Sequence, residues 1–342
     1  MKKLALCSLL LLASTARAAP ILITGAGATF PFPLYSKWFS EYNKLYPDIR
    51  FNYQSIGSGG GIQQFTNGTV DFGATDAPMT PEELAKAPDV VHIPTVLGAV
   101  VVTYNAPFPA LRLTPDLLAS IYLGKITRWN DPALAKANPG VQFPDLPVTV
   151  VRRSDGSGTT YVFTDYLGKV SKEWKERVGT AKSVSWPVGL GGKGNEGVTG
   201  LIKQTPGAIG YVELAYANQN KLPLTVLQNR DGNFVAPSLE STSAAAAGVA
   251  IPADYRVSLT DPAGANAYPI ASFTYLLVHK DAKDQAKGDA IVKFLWWAVH
   301  QGQALAGPLD YAPLPKAVVT MVEKTIQGLQ VQGKPVPLAS SR

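Results

Sequence analysis

Eight consecutive residues, Arg152-Arg153-Ser154-Asp155-Gly156-Ser157-Gly158-Thr159, are of the types and spacing that can hold an oxyanion. A guanidinium offers a planar fork of donors matched to paired oxygens. Gly156 and Gly158 permit the backbone angles of a sharp turn. Ser157, Gly158 and Thr159 add hydroxyls and N–H groups at a helix start, where the first amides lack partners and the macrodipole is positive. The chemistry so assembled is recognition of a tetrahedral anion. The plainer alternative is an ordinary turn with Ser157 as N-cap. By itself the string leaves both open.

Positioning such a turn takes a strand before it and a helix after it. Val148 to Val151 are β-branched and read as a buried strand. Val162, Phe163, Tyr166, Leu167 and Val170 recur at helical spacing. Two more junctions have this form. Ile21 to Ile23 run through Gly25-Ala26-Gly27-Ala28-Thr29-Phe30-Pro31 into an amphipathic helix marked by Leu34, Tyr35, Trp38, Phe39, Tyr42 and Leu45. Arg50 to Ile56 alternate as a strand, and Gly57-Ser58-Gly59-Gly60-Gly61 lead into a helix from Ile62. The latter is no P-loop, because no Lys-Ser/Thr pair closes the glycines. Val70 to Ala74 form a compact strand ending at Thr75-Asp76-Ala77-Pro78. Thr80-Pro81-Glu82-Glu83 then form a capping box, so the next helix starts there and Asp76 stays on a strand-end loop.

Elsewhere Val90 to Tyr104 is a long β-rich run interrupted at Pro94-Thr95, and Tyr268 to His279 is a second. Both are candidate crossovers between lobes. Thr114-Pro115-Asp116 caps a helix through Tyr122, and another covers Trp129 to Asn138. Gly189 to Gly194 spells G-x-G-x-x-G, but no clear strand feeds it, so it reads as a glycine loop entering a helix from Asn195 to Gln204. Pro206 to Val212 reads as turn and strand, and Asn218 to Leu259 as polar, irregular and peripheral. Buried helices are expected over Ile291 to Ala306 and Ala317 to Gln330, with Trp296-Trp297 in the core.

Lys2, Lys3, the apolar run Leu4 to Ala13 and Ala16-Arg17-Ala18 read as a signal peptide over residues 1–18. The apolar run is too short for a membrane anchor. Its removal takes Cys7, leaving no cysteine, and lowers the net charge from +6 to +3, since 28 basic residues then face 25 acidic ones. No Lys/Arg block suits nucleic acid. About 320 residues exceed what one core usually holds, so two domains are expected. The three histidines, His92, His279 and His300, lie apart in apolar runs, with no metal, cysteine or G-x-S-x-G pattern, which makes an enzyme the weaker case.

These strings, together with Trp186 to Gly194, Pro206 to Glu213 and Leu309-Asp310-Tyr311, resemble the periplasmic phosphate-binding proteins of phosphate ABC transporters along the whole chain. The resemblance implies a type II two-lobed α/β binding protein, each lobe a mixed central sheet flanked by helices, with the ligand cleft between lobes. Lobe I would comprise 19–95 with 268–342 and lobe II 96–267. It implies phosphate ligands Thr29, Phe30, Ser58, Asp76, Arg153, Ser157, Gly158 and Thr159, with Asp155 paired to Arg153. Strand alternation allows either Arg152 or Arg153 to face the cleft; the resemblance selects Arg153. One departure is Ser58-Gly59, where two serines are the family's pattern.

The function implied is binding of inorganic phosphate in the periplasm and delivery to an inner-membrane ABC permease with its ATPase, by a monomer needing no cofactor or metal. The alternatives are a protein for another tetrahedral oxyanion, such as sulfate or molybdate, and a secreted phosphatase-like hydrolase using Ser157 or Thr159. Asp76 argues against the other oxyanions, because phosphate near neutral pH retains a hydrogen to donate to a carboxylate and sulfate does not.

Overall fold

Runs of β-branched and aromatic residues supply a mixed sheet of nine strands in the computed structural model, which describes residues 19–109 and 111–338. The signal peptide expected over residues 1–18, with Cys7, lies outside the described residues. In chain order the strands are β1 (Ile21–Gly27), β2 (Ile49–Ser55), β3 (Phe72–Thr75), β4 (Val90–Asn105), β5 (Thr149–Arg153), β6 (Leu190–Gly192), β7 (Ala208–Glu213), β8 (Leu259–Thr260) and β9 (Ile270–His279). Across the sheet they run β2-β1-β3-β9-β4-β7-β5-β6, with β8 on β9.

The order divides into two groups that share β4. Val90 to Ala99 pair antiparallel with β9, whereas Val100 to Asn105 pair antiparallel with β7. In the first group β1 is parallel to β2 and β3; in the second β5 is parallel to β6 and β7. Nearly all of β4 is buried, as a strand covered on both faces must be. The expected interruption at Pro94-Thr95 is no break. Tyr275 faces Pro94 and Thr274 faces Val96, so Thr95 is the extra residue of a bulge. A proline without an N–H is tolerated where the ladder is already disrupted.

Helices cover this sheet on their apolar stripes. Phe32–Leu45 buries Leu34, Tyr35, Trp38, Phe39 and Tyr42, and its Trp38 ring meets Phe294 and Trp297 of the helix Gln285–Val299. Trp297 is core as expected, whereas Trp296 lies half-buried against His300. The capping box at Thr80 is present and starts Pro81–Lys86.

Four sequence expectations are corrected. The glycine string contains the strand β6, and the helix after it begins at Gly194. The helix expected from Trp129 is the shorter Pro132–Ala137, because Asp131 caps it. The helix expected over Ile291 to Ala306 begins at Gln285 and ends at Val299, where His300 leaves helical angles and 3₁₀ turns follow. The stretch from Asn218 to Leu259 is not irregular throughout. It holds Val226–Gln228, Phe234–Val235 and the helix Leu239–Ala247, whose capping box is closed by Ser241 where a Glu or Gln is the usual signal.

Candidate functional site

Open α/β sheets bind ligands at the carboxyl ends of their strands. The residues singled out lie there. Thr29 and Phe30 follow β1, Ser58 follows β2, Asp76 follows β3, and Asp155 to Thr159 follow β5. All eight expected ligands are buried, including Asp76 at 1% and Arg153 at 3% exposure.

The turns after β2 and β5 touch. Gly59 N donates to Gly156 O at 2.9 Å, and Gly158 N donates to Ser58 Oγ at 3.1 Å. Gly57 has φ +93°, and a Cβ there would lie 2.3 Å from Asp155 Oδ2, so only glycine fits. Ser157 caps the helix Gly158–Val170 by accepting from Thr160 N at 3.0 Å, as the plainer alternative requires. That bond uses a lone pair and leaves the hydroxyl hydrogen to donate, so capping does not exclude a contact with an anion. The N–H of Ser157 is held by Lys182 O at 2.8 Å.

Strand alternation buries Val151 and Arg153 while Arg152 is half-exposed beside Gly191. The Arg153 fork is fixed by Asp155, with Nε donating at 2.8 Å and Nη2 at 2.5 Å, and Nη1 donates to Thr159 Oγ1 at 3.3 Å. Asp155 also accepts from Gly194 N at 3.0 Å. Burial alone would raise the Asp155 carboxyl, but the Arg153 hydrogen bonds and charge outweigh it and hold it below the usual range.

Asp76 is governed by the opposite balance. Burial pushes its carboxyl up to about 7, against lowering by Thr274, the Arg153 charge and Ser58. Its Oδ1 accepts from Thr274 Oγ1 at 2.8 Å, and its N donates to Ser58 Oγ at 3.2 Å. The paired Asp155 stays an anion while the buried Asp76 can exchange a proton near neutral pH.

After β1, three tyrosine hydroxyls anchor three successive carbonyls. Tyr53 donates to Ala28 O at 2.7 Å, Tyr216 to Thr29 O at 2.5 Å and Tyr311 to Phe30 O at 2.6 Å. A carbonyl and the next residue's N–H lie in one rigid plane and point oppositely. Anchoring Thr29 O therefore fixes the direction of the Phe30 N–H. The Phe30 ring itself packs toward Gly98 and Tyr311, so only its backbone is available to an anion.

Neighbours of the cluster that were not singled out in sequence are Thr274, Asn195, Tyr53 and Tyr216, whereas Tyr311 ends the string Leu309-Asp310-Tyr311. Thr274 sits within an ordinary β run and carries no sequence signal. Asn195 does, since it follows the glycine string that was set aside. Its Nδ2 donates to Thr29 Oγ1 at 2.7 Å and Thr159 Oγ1 at 3.2 Å, its N donates to Thr29 Oγ1 at 3.1 Å, and its Oδ1 accepts from Glu213 N at 2.9 Å.

A hydrolase would need a base facing Ser157 or Thr159. Their oxygens face donors instead. The histidines are engaged elsewhere: His92 with Met79 N, His279 with Asp89 and His300 with Glu323. Among the described residues no group of three or more His, Cys, Asp and Glu side chains could hold a metal ion, and no helix is long and apolar enough to cross a membrane.

Comparison with known proteins points the same way. A PBP superfamily domain matches residues 14–301. A phosphate-binding protein PstS from Pasteurella multocida is 48% identical over 306 residues, covering 88% of this chain and 88% of the relative. Its counterpart from Xylella fastidiosa is 47% identical over 308 residues, covering 89% and 84%. Among solved structures, a phosphate binding protein from Stenotrophomonas maltophilia matches with a TM-score of 0.71 at 19% identity, covering 89% of this chain and 93% of that one. At that identity the likeness is one of fold, and the fold is the two-lobed α/β architecture expected from the sequence.

Proposed function

The chain belongs to the PstS family of phosphate-binding proteins, and from that premise we propose that it binds inorganic phosphate in the periplasm and delivers it to an inner-membrane ABC permease and its ATPase. It acts as a monomeric carrier, not as an enzyme. The phosphate ligands are the backbone of Phe30, the hydroxyls or amides of Thr29, Ser58, Ser157, Gly158 and Thr159, the Arg153 fork and the Asp76 carboxyl. Lobe I comprises 19–95 with 268–342 and lobe II 96–267, with β4 shared between the two strand groups.

One observation carries this reading: residues from four separate strand ends are buried around a single carboxyl that burial holds near neutrality. Helix starts and one guanidinium supply donors to a dehydrated anion without a large net charge. While ionised, Asp76 supplies an acceptor that only a protonated oxyanion can satisfy. Ligands drawn from both lobes mean that binding stabilises the closed form.

Calorimetric titration with inorganic phosphate at neutral pH, paired with small-angle scattering, tests this. One phosphate per chain and a smaller radius of gyration on saturation are expected. Absence of binding heat, or a profile unchanged by phosphate, contradicts it. Release of phosphate from an ester by the purified protein would favour the hydrolase instead.

A further inference from the structure

The Asn195 carboxamide touches hydroxyls on both sides of the site, and its orientation is dictated by its surroundings. Glu213 N–H can only donate, so the amide oxygen must face it, at 2.9 Å. The two Nδ2 hydrogens are then directed at Thr29 Oγ1 and Thr159 Oγ1. Asn195 is fully buried, as is Thr159, and Thr29 is 2% exposed, so water does not compete for these bonds.

The consequence follows from counting lone pairs. A hydroxyl has two acceptor positions and one hydrogen. Thr29 Oγ1 accepts from both Asn195 N and Asn195 Nδ2. Thr159 Oγ1 accepts from Asn195 Nδ2 and Arg153 Nη1. Both hydroxyls have therefore filled their acceptor positions, and each retains one hydrogen to give. Donors on a hydroxyl oxygen also polarise its O–H bond. Building on the phosphate-binding reading above, we propose that Asn195 is a positioning residue that makes Thr29 and Thr159 obligate donors to the bound oxyanion. Left free, either hydroxyl could rotate its hydrogen toward a protein oxygen and present a lone pair to the anion, which repels. Because Asn195 belongs to the chain after β6 and Thr29 to the chain after β1, the same amide sets both hydroxyls as the site closes.

A double-mutant cycle read by phosphate titration tests this. Asn195→Ala is expected to weaken phosphate binding on the order of 10²-fold. In a Thr29→Val or Thr159→Val background the same change is expected to cost markedly less, because the hydroxyl it acts through is gone. Asn195→Asp keeps an acceptor for Glu213 N–H and replaces the Nδ2 donor by an oxygen. Each threonine can then spend its hydrogen on the introduced carboxylate, so this variant is expected to fold and to bind at least as weakly as Asn195→Ala. Circular dichroism on each variant shows that the fold is retained. Costs of Asn195→Ala that are equal in all backgrounds, or near-normal binding by folded Asn195→Asp, overturn the Asn195 role alone. Failure of the unsubstituted chain to bind phosphate overturns the functional reading and this role with it.

Discussion

Gly158→Ala is expected to cost phosphate affinity on the order of 10²-fold or more while leaving the fold intact. A Cβ at position 158 would lie 2.4 Å from Ser58 Oγ, 2.5 Å from Asp76 Oδ2 and 2.7 Å from Asp76 Cβ. Ser58 Oγ can rotate away, but the Cβ of Asp76 moves only with its backbone. The turns after β3 and β5 must therefore separate by a good part of an ångström. Donors placed for an oxyanion lose most of their value under such a displacement. Position 158 opens a helix and its φ is not positive, so alanine fits the local backbone. The substitution thus acts on closure and not on folding. Gly200→Ala is the control. It lies in Gly194–Gln204 with nothing within 4 Å of its Cβ position, and is expected to stabilise that helix by about 0.5–1 kcal/mol with unchanged affinity. Equal affinities for Gly158→Ala and the unsubstituted protein would contradict the close approach of the two turns during binding.

The second large effect is on selectivity. Asp76→Asn is expected to admit sulfate, narrowing the phosphate-to-sulfate ratio by about 10³-fold or more, while phosphate binding persists in weakened form. The carboxyl is raised from 3.8 to about 7, chiefly by burial. The sign is that of a raised acid. The cost of burying the anion is present in full above pH 7 and is relieved as the pH falls toward 3.8. Phosphate removes the cost by bringing a hydrogen of its own. Sulfate brings none, so the site must take a proton from water before it closes. An amide at position 76 can donate to sulfate, and no proton is then needed. If folded Asp76→Asn binds phosphate but rejects sulfate as before, Asp76 is not the discriminating group.

Much of the fold and of the cluster is legible in the amino-acid sequence alone. Ser157, Gly158 and Thr159 at a strand-to-helix junction, and Asp76 stranded ahead of the Thr80 capping box, stood out because local rules assign each a place and a free donor or acceptor. Spacing alone could not say which of Arg152 and Arg153 turns inward; in the structure Arg153 is the buried one and Asp155 is its partner. Asn195 and Thr274 were missed for a physical reason. Their places beside the cluster come from contacts with residues 166 and 198 positions away, which no local pattern encodes. The strand β6 was missed because Leu190-Gly191-Gly192 has no β propensity of its own, and pairing with Val151 to Arg153 imposes the conformation. Likewise Pro94 looked like a break, since nothing in the sequence announces the bulge that accommodates it.

The central claim is that a buried carboxyl demands a hydrogen from its ligand, and calorimetric titration of the unsubstituted protein with phosphate and sulfate at about pH 8 and about pH 5 tests it most directly. Measured from the ordinary carboxyl value of 3.8, protonating Asp76 to admit sulfate costs roughly 10⁴-fold at pH 8 and about tenfold at pH 5. Phosphate carries a hydrogen at both. The sulfate heats are expected to sit at baseline at the higher pH and to emerge at the lower, closing the gap to phosphate by about 10³-fold. Sulfate affinity that is comparable to phosphate at the higher pH, or equally poor at both, would contradict the claim.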